Sequence, residues 1–340
     1  MLRGSGGQFF GWTGRTSTRR RAVSTSTSAL DEGVPPPPDG PPRSVRRDRA
    51  SRGDRRLAVW LIVPTVLALG LVVGYPIVRA LYRSFFDDPI GGTPAFVGFE
   101  NYTDALWGAD SDVFWESLQV TVFFTVVSVG LEVLLGFSMA LVMHRALRGR
   151  GLIRTSVLVP WAIPTAVTAV MWGWILEPNG VLNHLIGQEI LWTGSEWPAK
   201  WAIIFADVWK TAPFVALLLL AGLQIIPDEL YEAAKVDGAS AWRRFVEITL
   251  PMVKPALMVA VLFRMLDVLR IYDLPAILTN GANDTTTLSI LVVETAIGNL
   301  EAGYGSALST LTFLFIFLCA YLFVKLLGTN VIATQQREVK

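Results

Sequence analysis

Six apolar runs constrain this chain more than anything else in it, at about residues 57–78, 118–143, 152–176, 201–225, 252–275 and 304–327. Each is about 20 residues or longer, the length at which a helix crosses the hydrocarbon of a bilayer. In lipid every backbone amide has to bond within its own segment, so such runs are helices. The composition agrees: 52% of residues are hydrophobic and 17% charged, where soluble domains are about a quarter charged. The expected fold class is therefore an all-α membrane protein with six transmembrane helices. The expected organisation is a tail over 1–56, a six-helix body over 57–330 and a short C-terminal tail over 331–340.

Several chemistries are excluded early. The only cysteine, Cys319, rules out an internal disulfide and cysteine-rich metal sites, and two histidines, His144 and His184, do not make a zinc centre. No Gly-Lys dipeptide occurs, so no Walker A loop is present. No nucleophile–His–acid set is evident, which disfavours an enzyme. No metal and no cofactor of its own are expected, and nothing points to nucleic acid.

Charge is distributed unevenly. Residues 1–56 hold 12 Arg against 5 acids, with a Pro35–Pro38 block and a Ser/Thr run. Too little apolar surface is present there to offset the entropy of ordering, so the segment reads as a disordered cytoplasmic tail, with anionic lipid as a further role. The 87–117 connection carries seven acids and no Lys or Arg, loop 177–200 carries one basic residue, and loop 276–303 carries none. Arg145, Arg148, Arg150 and Arg154 lie in the 144–154 connection, and Lys325, Arg337 and Lys340 at the C-terminus. Basic residues are retained inside during insertion, so both termini are expected to be cytoplasmic.

Ionisable groups in hydrocarbon are costly and face a partner or a cavity. Asp207 and Lys210 are spaced to pair on one face of the fourth span. Arg264, Asp267, Arg270 and Asp273 recur every three residues and make one face of the fifth span polar, read either as the lining of a translocation path or as a structural ion-pair network. Glu132, alone in the second span, is expected to bond to a neighbouring helix. Prolines 160, 164, 213, 255 and 275 are expected to kink their helices. Gly70 and Gly74 allow close packing of the first span. Among the outer tryptophans, which suit either interface anchoring or stacking on sugar rings, Trp172 and Trp209 are the better candidates for the path.

Between the fourth and fifth spans lies a segment, 227–251, that reads as a helix capped by Asp228, a left-handed turn at Gly238, and a second short helix from about Ser240 to Ile248. Glu232-Ala233-Ala234, then Asp237-Gly238 and, nine residues on, Ile248-x-Leu250-Pro251 resemble the EAA loop of ABC importer permeases. Phe96–Tyr102 (FVGFENY), Leu158–Pro164 (LVPWAIP) and Trp172–Asn183 are similar to segments of MalF/UgpA-type sugar permeases. The resemblance covers about 57–330. MalF itself carries extra N-terminal spans and a large periplasmic domain that this sequence lacks, so no substrate site is carried over from it.

What the resemblance implies is a type I (MetI-like) permease fold with a cytoplasmic EAA coupling helix, in a bacterial plasma membrane. Glu232, Ala233, Ala234, Asp237, Gly238, Ala239, Ile248, Leu250 and Pro251 would couple to an ATPase dimer, which would bind the ATP and Mg. The other partners implied are a second homologous permease, an extracytoplasmic solute-binding protein that would meet the acidic loops, and membrane lipid. The cargo would be a sugar, with a glycerophosphodiester or polyamine as the same-architecture alternative. A secondary transporter working alone is a further alternative, which the EAA unit disfavours.

Overall fold

In the computed structural model the described residues are 52–88, 92–109, 111–144 and 150–328. Residues 1–51 of the expected tail, Asp110, Arg145, Arg148 and the stretch from 329 onward, with Arg337 and Lys340, lie outside them. The chain divides into two units, residues 1–62 and 63–340. Among the described residues the elements are helical apart from one two-stranded hairpin.

Helix α1 (Arg52–Leu69) passes through a π turn (Gly70–Gly74) into α2 (Tyr75–Arg83). A hairpin of β1 (Phe86–Asp87) and β2 (Ala95–Phe96) and helix α3 (Glu100–Trp107) lead to α4 (Ser111–His144). The third apolar run becomes α5 (Arg150–Ala162) and α6 (Thr165–Ile175), followed by α7 (Val181–Ile186) and the long α8 (Glu196–Leu223). Then come α9 (Asp228–Val236), α10 (Ala241–Arg244), a π turn (Phe245–Thr249) and α11 (Leu250–Val268). Finally α12 (Asp273–Leu278), α13 (Leu288–Val293) and a π turn (Glu294–Gly298) precede α14 (Ala302–Phe323) and a terminal π turn (Val324–Gly328).

Five of the six expected spans are unbroken helical stretches, and the third is not: α5 and α6 meet at 93°. Pro164 is the cause. It lacks an N–H and forces the residue before it out of the helical region, and its own backbone is extended at φ −56, ψ 141. Thr168 then donates to the Pro164 carbonyl through both its amide and its hydroxyl. Pro213 and Pro255 sit inside α8 and α11, and neither helix is broken at them. The fifth span is also shorter than its apolar run, ending at Val268, so Arg270, Asp273 and Pro275 lie beyond it.

The core is the packing of α4, α8 and α11. Lipid removes most of the hydrophobic drive between helices, so close van der Waals contact has to hold them. Gly136 shows how close: a Cβ there would lie 2.8 Å from the Val215 side chain and 3.0 Å from the Ala212 carbonyl. Ala206, Ala212 and Ala216 keep the facing surface of α8 equally low. The first span differs. None of residues 63–83 is buried, and Gly70 and Gly74, expected to serve helix packing, bound the π turn with nothing within 4 Å of an added Cβ. Of that span, α2 packs on α14.

Candidate functional site

The 227–251 segment is built around Gly238. Its φ of +75 is the left-handed conformation that only glycine adopts without strain. Around it the Ala239 amide donates to the Ala234 carbonyl at 2.9 Å and the Gly238 amide to Lys235 at 3.1 Å, the paired bonds of a Schellman end. Asp228 is not the cap: it is the first helical residue, Pro227 precedes it, and no side chain caps α9. Ser240 does cap α10, accepting from the Arg243 amide. The second helix is not a separate short piece either, because Ala241–Val268 forms one apolar helical stretch. Pro251 lies inside that stretch, just after the π turn Phe245–Thr249. The Tyr231 and Thr249 hydroxyls, 3.0 Å apart, tie α9 to the base of that rod. Glu232, Ala233, Asp237 and Gly238 are exposed, while Ala234, Ala239 and Ile248 are half-buried.

Roughly 35 Å along that rod from Ala241, at 1.5 Å per residue, Arg264 joins three helices. Its guanidinium donates to both Glu132 carboxylate oxygens of α4, at 2.6 and 2.7 Å, and to Asp207 of α8 at 3.1 Å. It also pairs with Asp267, one turn on. The Thr211 hydroxyl completes the Glu132 carboxylate at 2.7 Å. Glu132, Asp207 and Arg264 are all buried. Charges inside a membrane protein survive when paired and hydrogen-bonded, and the two-pronged Arg–carboxylate contact is the strongest form. Glu132 thus bonds to neighbouring helices, as its isolation in the second span led one to expect. The expected Asp207–Lys210 pair is absent, because the fork of Arg264 holds Asp207.

A cavity of about 420 Å³ opens beside this cluster. It gathers Lys210, Arg264, Asp267, Arg270 and Asp273, although they do not share one helix face. Arg264 and Asp267 are on α11, Arg270 follows its end, and Asp273 starts α12. The break in the third span supplies the opposite wall, with Trp161 before it and Thr165 after it. Trp161 stacks on Phe214 at 5.7 Å between ring centroids. Sequence reasoning passed over both rings, since only the bend brings Trp161 to the charges. Trp172 and Trp209 are elsewhere. They meet edge to face at 6.0 Å and line a separate, largely apolar cavity of about 340 Å³ with Met139, Val157 and Pro213.

Residues 132–332 match the family described as binding-protein-dependent transport system inner membrane component, and so span both the charged cluster and the 227–251 segment. The chain belongs to that family. It is a permease, a transport component of the membrane and not an enzyme. Among curated relatives, the trehalose transport permease SugA of Mycobacterium tuberculosis is 42% identical over 290 residues, covering 83% of this chain and 92% of the relative. The sulfoquinovosyl glycerol permease SmoG of Agrobacterium fabrum is 41% identical, covering 77% and 87%. The trehalose/maltose permease MalF of Thermococcus litoralis is 40% identical, covering 80% and 94%. A solved bacterial alginate importer shares the fold with a TM-score of 0.72 at 18% identity, over 82% of this chain and 96% of that one.

Two segments that resemble sugar permeases prove to be internal staples of this permease. In FVGFENY, Asn101 donates to the carbonyls of Ser84 and Phe86, and the Tyr102 hydroxyl meets that of Ser84 at 2.6 Å. Together they fix the corner between α2 and α3. In the 172–183 segment, Asn183 donates to Pro178 and Ile190 and accepts from the Trp192 indole at 2.8 Å. Nearby, Lys200 pairs with Glu196 and with Asp284, pinning α8 to the loop before α13.

Proposed function

We propose that this permease is one of two different membrane subunits of an ATP-driven importer and forms half of the path for a di- or oligosaccharide. An extracytoplasmic binding protein delivers the cargo, and a separate ATPase dimer, carrying ATP and Mg, drives the cycle. The observation that carries this reading is the continuous helix from Ala241 to Val268, which has the exposed EAA unit at one end and the charged cavity beside the other. The low, partly exposed surface at Ala233 and Ala234 suits close approach by a docking groove, and Glu232 suits a basic group in it. Movement of that unit reaches Arg264 and Asp267 through one rod.

The saccharide class rests on the relatives named for trehalose, maltose and sulfoquinovosyl glycerol, together with the Trp161–Phe214 platform in the cavity. Both termini are assigned to the cytoplasm from the Lys and Arg distribution. A glycerophosphodiester or polyamine carried by the same architecture is the competing reading.

The test is a gentle-detergent pull-down of the tagged chain from its native membrane, with mass spectrometry of the proteins retained. A Walker-motif ATPase and a second six-helix permease are expected. Recovery of the chain alone, under conditions that keep other ABC complexes whole, would favour an autonomous transporter. A ligand screen on the co-purified binding protein then separates saccharide from the competing cargoes.

A further inference from the structure

Helix α9, which carries the EAA unit, is attached to the rest of the permease at few points. None of its residues is buried, and among the described residues no other helix packs closely along it. Its start is joined to α8 through residues 224–227, and its end to the Ala241–Val268 rod through the turn at Gly238. By chain connectivity alone it is as much the tail of α8 as the head of the rod.

A single bond settles which of the two it follows. Among the described residues, the only side-chain hydrogen bond that leaves α9 is the 3.0 Å contact between the hydroxyls of Tyr231 and Thr249. Thr249 is 5% exposed and ends the π turn. The buried threonines Thr121, Thr125 and Thr312 give their hydroxyls to the carbonyl four residues back, at 2.7, 2.8 and 2.8 Å, a common bond of threonine inside a helix. Thr249 departs from them. Its own helix offers it only the Arg244 carbonyl, five residues back and 3.5 Å away, so Tyr231 is the closer partner. Tyr231 also stands about 10 Å along α9 from Gly238, at 1.5 Å per residue. The rod therefore holds α9 near both ends. A hold at Gly238 alone would leave a pivot, because glycine resists rotation least.

We propose that Tyr231 is a positioning residue for coupling. Bonded to Thr249, it makes α9 turn as one body with the rod, so that closure of an ATPase on α9 is delivered to Arg264 and Asp267 and is not lost in a tilt about Gly238. This rests on the importer reading above and names the residue through which its rod is driven.

The single cysteine makes the test direct. In a Cys319→Ser background, Thr165→Cys places a thiol on the wall of the cavity beside Arg264. Its methanethiosulfonate labelling rate is compared with and without a non-hydrolysable ATP analogue, in the intact complex with its partner subunits. The analogue bound per complex is measured alongside. In the parent the analogue should change the labelling rate. Tyr231→Phe removes one oxygen and keeps the ring. It should bind as much analogue but show that change reduced by about two- to tenfold, the factor by which one neutral hydrogen bond shifts an equilibrium. Thr249→Val should do the same, and Thr249→Ser, which keeps the hydroxyl, should respond like the parent. Tyr231→Phe combined with Thr249→Val should be no worse than either alone, because both remove one shared bond.

A full response in Tyr231→Phe, effects of the two substitutions that add, or a response that falls only as bound analogue falls would overturn the role of Tyr231 and leave the importer reading standing. No response in the parent, or no ATPase retained with it, would instead overturn the coupling rod on which that role rests. The contrast of Thr249→Val with Thr249→Ser needs no change at Tyr231, so it decides the matter even if Tyr231→Phe fails to assemble.

Discussion

Two charged regions of this permease treat their charges in opposite ways. In the bundle, Glu132, Asp207 and Arg264 direct their hydrogen bonds at one another across three helices. In the 227–251 segment, Glu229, Glu232 and Asp237 are exposed, and the region is held by backbone bonds around Gly238, the Ser240 cap, one hydroxyl pair and the exposed Arg243–Glu247 pair. The difference teaches where each region finds its partners. The buried cluster finds its partners within the chain, while the 227–251 unit presents a shaped surface whose charges have water or another protein to meet.

Arg264→Met gives the largest expected effect. It strands two buried carboxylates, and breaking a buried pair in this way costs about 3–5 kcal/mol. Membrane accumulation and the thermal midpoint of the detergent-solubilised protein should both fall sharply. A near-native midpoint would mean that the cluster is not what holds α4, α8 and α11 together.

Gly238→Val should leave that midpoint nearly unchanged while abolishing ATP-coupled uptake and sparing the binding protein's affinity for sugar. Nothing lies within 4 Å of an added Cβ there, so the cost is the left-handed backbone alone, about 1–3 kcal/mol, borne locally by the end of α9. Wild-type uptake in this variant would remove the segment from the coupling route.

Asp267→Asn cuts across the comparison, because Asp267 belongs to the cluster but its side chain is 67% exposed to the cavity. Uptake should drop several-fold with stability little altered, since Glu132 and Asp207 still hold Arg264. Unchanged uptake across several sugars would assign Asp267 to structure only. Smallest of all is Arg243→Gln, which removes an exposed pair with Glu247. Such pairs contribute about 0.2–1 kcal/mol, so the melting curve should be almost superimposable on that of the parent.

How much the sequence disclosed depends on the range of each interaction. Helices over the apolar runs and the turn at Gly238 depend on neighbours a few residues apart, and both were legible. The partner of Arg264 was not, because Glu132 lies 132 residues away and i,i+3 spacing pointed to Asp267 alone. Asp207 and Lys210 had the right spacing to pair, yet a guanidinium from another helix outcompetes the local ammonium. The prolines, all expected to kink their helices, do not act alike. Pro213 and Pro255 are absorbed inside helices, while Pro164, four residues after Pro160, marks a turn of 93°. That turn also explains why Trp161 was overlooked: its place in the cavity wall depends on a direction change that hydropathy does not record.

The π turn at Phe245–Thr249, where the Leu250 amide reaches back to Phe245, has a consequence for how this family is aligned and engineered. A π turn holds one residue more than an α turn, and each residue of a helix is worth about 100° of rotation. The separation of Gly238 from Pro251 is therefore an angular setting as much as a length. Deleting one residue between 245 and 249 would convert the π turn to an α turn and keep the Trp242–Arg243 face nearly in phase with Arg264, whereas deleting one residue from the α-helical stretch above it would swing that face by about 100°. A transplant of this segment between permeases has to preserve phase before it preserves residue identity.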